Sequence, residues 1–105
     1  MASFWQLTCA WGMACVVKGF DKIILFDTGG DGSVLLSNMR KMDIAPEDIE
    51  IVFLSHIHGD HTGGLWKFLE VNPGVTVYLP SSFPEDYKHG IKEKGAKFVE
   101  VERPV

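Results

Sequence analysis

The run Ile23-Ile24-Leu25-Phe26 is apolar at every position with no alternation, the pattern of a strand covered on both faces rather than one that shows water a side. It is followed by the flexible polar stretch Asp27-Thr28-Gly29-Gly30-Asp31-Gly32. Leu35, Met39 and Met42 then recur at helical spacing, with Asp31 or Ser33 placed to cap the helix start. A buried strand, a glycine-rich loop and a helix in that order are the signature of an α/β fold.

The rest of the chain repeats this order. Upstream, residues 3–8 and 13–18 read as two strands around Ala10-Trp11-Gly12, and Gly19-Phe20-Asp21 turns the chain into the first apolar run. Downstream, Pro46 breaks the helical region and Ile51-Val52-Phe53-Leu54 forms a second buried strand. A loop dense in His, Asp and Gly follows over residues 56–64, and Leu65, Phe68 and Leu69 then give a short helix one apolar stripe. Residues 75–79 make a further strand. Ser82-Phe83-Pro84-Glu85 has capping-box spacing ahead of a helix over about 83–94, which Gly95 stops, and Phe98, Val99 and Val101 make a last strand. No repeat or low-complexity tract divides the chain, so residues 1–105 read as one domain unit, with a sheet and its helices stacked on one side.

Charge and hydropathy exclude several classes of partner. Asp and Glu total 14 against 10 Lys and Arg, a net charge of -4 with no basic cluster, which argues against binding a nucleic-acid backbone. The longest uncharged stretch, residues 1–17, is interrupted by Gln6, Thr8 and Gly12 and falls short of the roughly 20 apolar residues that cross a bilayer. No membrane partner is expected. The first Lys is Lys18, after that stretch rather than before it, so a secretory leader is not read and the expected location is the cytoplasm. Cys9 and Cys15 could face each other across a hairpin, but in a reducing compartment they are expected as free, buried thiols.

The chemistry concentrates in Ser55-His56-Ile57-His58-Gly59-Asp60-His61-Thr62-Gly63-Gly64, where three of the four histidines of the chain share six positions with Asp60. His56 and His58, two apart in an extended segment leaving a strand, point the same way and can share one metal ion. Asp60 and His61 follow the turn that Gly59 permits and can meet a second ion from the other side. Imidazole with carboxylate suits zinc first, with manganese or iron as further options. Asp27, at the end of the preceding buried strand, reads either as a solvated turn carboxylate or as an acceptor that orients a ligand imidazole. His89 stands alone beside Lys88 on a predicted helix and is read as an exposed polar residue. Trp5, Trp11 and Trp66 are read as core or cleft-lining aromatics.

An H-x-H-x-D-H sequence after a buried strand, with an earlier strand ending in Phe26-Asp27-Thr28-Gly29, resembles the metallo-β-lactamase superfamily. Within it, residues 22–66 and the later SSFPEDYKHGIKEKGAKFVEVERP are similar to the dihydropterin ribofuranosylaminobenzene phosphate synthase-like branch. That branch commonly has Gly where Ile57 stands and a bulkier residue where Gly59 stands.

The resemblance implies an αββα sandwich of which this chain is the amino-terminal half, one mixed sheet with helices on one side. It implies two metal ions, His56 and His58 on the first, Asp60 and His61 on the second, and Asp27 behind the ligands. It also implies attack of a metal-bound hydroxide on a small-molecule substrate, phosphorylated ones included, with Asp60 as the catalytic carboxylate that helps position the nucleophile. Three further family ligands have no counterpart in the chain. The expected function is therefore a metal-dependent hydrolase, truncated. The alternative is a non-catalytic metal-binding half-domain that completes its fold as a homodimer or with a complementing chain.

Overall fold

A computed structural model describes residues 6–10, 14–19, 22–28, 32–55 and 64–102. Among these residues six strands form one sheet in chain order: β1 (Gln6–Ala10), β2 (Ala14–Lys18), β3 (Ile23–Phe26), β4 (Ile51–Phe53), β5 (Thr76–Pro80) and β6 (Lys97–Val101). β1, β2 and β3 pair antiparallel, and β3 through β6 pair parallel, so the sheet is mixed. The parallel strands are joined by α1 (Gly32–Lys41), α2 (Leu65–Val71) and α3 (Glu85–Glu93), and a 3-10 turn over Pro46–Asp48 leads into β4. Because spatial order follows chain order, every crossover advances in the same direction. Crossovers of one hand then lay all their helices on the same face of the sheet.

That face carries Leu25, Val52, Val77 and Leu79. They are buried together with Leu35 and Met39 of α1, Leu65, Phe68 and Leu69 of α2, and Ile91 of α3, in one continuous core. Gly32 sets how closely α1 meets α2, since a Cβ placed there would lie 2.2 Å from Lys67 Cβ. Asn72 then ties the end of α2 to the entry of β4, its Nδ2 donating to the carbonyls of Pro46 and Ile49, each at 2.9 Å. The one-sided layering matches the sequence reading.

The opposite face is apolar as well. Phe26, Phe53, Tyr78 and Val99 stand side by side in register across β3 to β6. The Phe26 and Phe53 rings stack at 5.3 Å, and those of Phe53 and Tyr78 at 6.0 Å. The unalternating run in β3 led to an expectation of cover on both sides. Among the described residues the helices cover only one, and Phe26 stays 38% exposed.

Local departures from the sequence reading have physical causes. Among the described residues the first strand is Gln6–Ala10, so Ala10 belongs to the strand and not to the turn, and residues 3–5 of the expected strand lie outside the described residues. The capping box at Ser82 and Glu85 does not form: Pro84 occupies the N-cap, no side chain caps the helix, and the Glu85 carboxylate instead pairs with Lys88 at 3.0 Å. Gly95 does end α3, at a φ of 92° that favours glycine. Cys15 is disulfide-bonded, contrary to the free thiol expected, and Cys9 is the residue opposite it in the β1–β2 register.

Candidate metal centre

The parallel strands β3 and β4 end side by side, and their carboxyl ends are where α/β sheets gather functional groups. Asp27 follows directly on β3 and takes a left-handed conformation, φ 57°, unusual for a residue with a side chain. Its amide donates to the Phe53 carbonyl of β4 at 2.8 Å, which holds it against the neighbouring strand. Its side chain turns to the same strand. The Ser55 amide donates to Asp27 Oδ1 at 2.9 Å, and the Ser55 hydroxyl donates to Oδ2 at 2.8 Å.

Asp27 is only 9% exposed, and both its carboxylate oxygens are thus engaged by one residue of the next strand's end. The regular β3–β4 ladder stops at the Phe26–Phe53 pair, and beyond it the Ser55 amide donates to the carboxylate. On the other side Leu54 continues the ladder by donating to the Tyr78 carbonyl at 2.8 Å. The chain is therefore held from both neighbours up to Ser55, the residue before His56. Of the two roles considered for Asp27, the solvated turn carboxylate is excluded by this burial and pairing.

His56, His58, Asp60 and His61 lie outside the described residues, and among the described residues no group of three metal-ligating side chains occurs. The chain is described again from Gly64, which serves as N-cap of α2. Trp66, two positions on, packs against Tyr87 of α3 with the rings tilted at 51° and their centroids 4.7 Å apart, and Phe83 meets Tyr87 edge-on at 5.5 Å. This aromatic packing fixes α2 on α3 and fits the core role expected of Trp66. Trp5 and Trp11 lie outside the described residues. His89 is exposed and lies 3.4 Å from Glu93, as its isolation suggested.

Sequence reasoning singled out Asp27 but missed Ser55. Its signal was a hydroxyl residue exactly one position before the first histidine, at the point where a strand ends beside an aspartate. A cavity of about 430 Å³ bordered by Leu36, Arg40, Ile44, Pro46 and Val71 opens at the other end of the parallel strands, beside the entry to β4, and takes no part in this arrangement.

The family model for the metallo-β-lactamase superfamily matches residues 12–100. The chain belongs to that superfamily. Its members usually bind divalent metals. Among curated superfamily relatives, the 7,8-dihydropterin-6-methyl-4-(β-D-ribofuranosyl)-aminobenzene-5'-phosphate synthase of Methanocaldococcus jannaschii is 41% identical over 62 residues, covering 58% of this chain and 21% of its own length. The ribonuclease Z of Nanoarchaeum equitans is 33% identical over 85 residues, covering 81% of this chain and 23% of its own. The chain thus spans between a fifth and a quarter of these relatives.

Solved metallo-β-lactamases share the fold. MIM-1 from Novosphingobium pentaromativorans superposes with a TM-score of 0.63 at 24% identity, over 73% of this chain and 29% of its own. The Cronobacter sakazakii enzyme gives 0.65 at 22%, over 86% and 37%.

Proposed function

We propose that the chain is the metal-binding part of a metal-dependent hydrolase, a single partial domain over residues 1–105. Superfamily membership supports this reading, and one observation carries it: the Asp27–Ser55 pairing that anchors the H-x-H-x-D-H loop at its root. Three imidazoles and a carboxylate within six positions suit divalent ions, zinc first and manganese or iron after it. His56 and His58 would hold one ion, and Asp60 and His61 a second. Ions held there would supply Lewis-acid polarisation of a scissile group and would lower the pKa of a water toward about 7.

The chain's own residues supply the rest. Asp60, the loop's carboxylate, orients the attacking water by accepting a hydrogen bond from it. Asp27 keeps lone pairs beyond those Ser55 occupies, since each carboxylate oxygen accepts more than one bond, and takes a ligand imidazole N–H to fix its ring. The substrate class we favour is a small ester, amide or phosphorylated molecule. The net charge of -4 supports that choice over the RNA named for the ribonuclease relative. Cytoplasmic residence belongs to the same proposal, and the disulfide at Cys15 is the feature that fits it least.

In a second reading the chain binds metal without turnover and completes its fold as a homodimer or with a complementing chain, which would cover the apolar row Phe26, Phe53, Tyr78 and Val99. Zinc- or manganese-loaded chain is assayed against p-nitrophenyl acetate, p-nitrophenyl phosphate and bis(p-nitrophenyl) phosphate. Turnover lost in His58→Ala supports the hydrolase. Bound metal with no turnover, in a species that sediments as a dimer, supports the second reading.

A further inference from the structure

The described residues place one unassigned group at the root of the loop. Ser55 meets Asp27 through two donors on two oxygens, which fixes the rotation of the carboxylate, because neither oxygen can leave without losing a bond. Asp27 cannot answer by moving its backbone, since its amide is tied to the Phe53 carbonyl and its φ is left-handed. The backbone amide of Ser55 would survive any substitution except proline. The hydroxyl would not.

We propose that Ser55 is a positioning residue of the metal centre. Its hydroxyl on Asp27 Oδ2 fixes the carboxylate's orientation, which the Ser55 amide on Oδ1 alone leaves free to turn. Removal of that one hydroxyl then weakens metal binding although no ligand is altered. The inference rests on the metal-binding reading given above, and it assigns a role to a residue that binds no ion in that reading. Thr retains the hydroxyl at the same carbon, so Thr at this position preserves the function, whereas Ala removes it. Groups that orient metal ligands typically contribute 10- to 100-fold in affinity, and a loss of about 10-fold is expected for a hydroxyl acting through Asp27.

The test is competition between the full chain and a chromophoric chelator for zinc, run for wild type, Ser55→Ala and Ser55→Thr, with apo melting temperatures measured in parallel. Ile91→Val, a modest core loss on α3, controls for general destabilisation. A loss of about 10-fold in Ser55→Ala, rescue in Ser55→Thr and wild-type affinity in Ile91→Val support the inference. Equal affinity in Ser55→Ala and a zinc-binding wild type overturns it and leaves the hydrolase reading standing. The same loss in Ile91→Val at matched destabilisation also overturns it, since the effect is then merely structural. Absence of zinc from the wild type overturns both.

Discussion

Substitutions at Asp27 separate the three things that residue does. In Asp27→Ala, the Ser55 amide and hydroxyl lose a charged, largely buried acceptor. Hydrogen bonds to charged groups contribute about 1.5 kcal/mol each at the low end. Ala must also hold a φ of 57°, which costs about 1 kcal/mol more for an ordinary L-residue. The expected loss is about 4 kcal/mol, a large share of the roughly 5–15 kcal/mol that stabilises a domain. Asp27→Gly removes the same two bonds but accepts the left-handed backbone, so it should cost about 3 kcal/mol. Asp27→Asn tolerates that backbone and keeps one oxygen for the Ser55 amide, at a cost of about 1–2 kcal/mol.

Urea unfolding of the apo chain at neutral pH, followed by tryptophan fluorescence and circular dichroism with m held in common, ranks the variants. The expected order of loss is Ala, then Gly, then Asn. Three variants within about 0.5 kcal/mol of wild type would refute the reasoning, as would Ala no worse than Asn, because the pairing would then carry no net stability.

Other consequences follow from the packing and charge. Gly32→Ala forces a methyl against Lys67 Cβ and the Gly64 carbonyl, and should lower stability by about 1–3 kcal/mol in the same urea assay. Denatured, unreduced chain should show no titratable thiol at Cys15, and reduction should lower the melting temperature; a full complement of thiols before reduction contradicts the disulfide. Lys88 is buried, with its ammonium on Glu85 Oε2 at 3.0 Å, the Ser81 carbonyl at 2.9 Å and Glu100 Oε2 at 3.4 Å. The bond to Glu85, helped by Glu100, raises its pKa above the ordinary 10.5 against the opposing effect of desolvation. A folded pKa above the unfolded one gives a contribution fully present below 10.5 and lost as pH rises through the folded value. Stability measured from neutral pH into that alkaline range should fall in wild type more steeply than in Lys88→Met, and equal slopes would contradict the assignment.

Much of the sheet was legible because its signals are local. Apolar runs at β3 and β4, helical spacing through Leu35 and Met39, and a glycine after α3 each report on a few neighbouring residues. What escaped depends on partners distant in sequence. Ser55 meets Asp27 across 28 positions, and nothing in either flanking segment announces that bond. The capping box failed because Pro84 takes the N-cap and Lys88, held on the Ser81 carbonyl and Glu100, claims the Glu85 carboxylate. Ile24 and Phe26 illustrate the converse: their apolar character was plain, but which layer faces them is not written in the strand itself. Ala10 joined the first strand because no turn residue sits there and its pairing with Ala14 continues the ladder. The redox state of Cys15 follows from the register that places Cys9 opposite it, a relation that spacing alone left open.

The most direct test is the amount of metal held by the purified chain. After loading with zinc and exhaustive dialysis, elemental analysis at neutral pH should find at least about one ion per chain, reduced in His56→Ala, His58→Ala, Asp60→Ala and His61→Ala. Less than about one ion per chain, with Asp60→Ala indistinguishable from wild type, would contradict the metal centre.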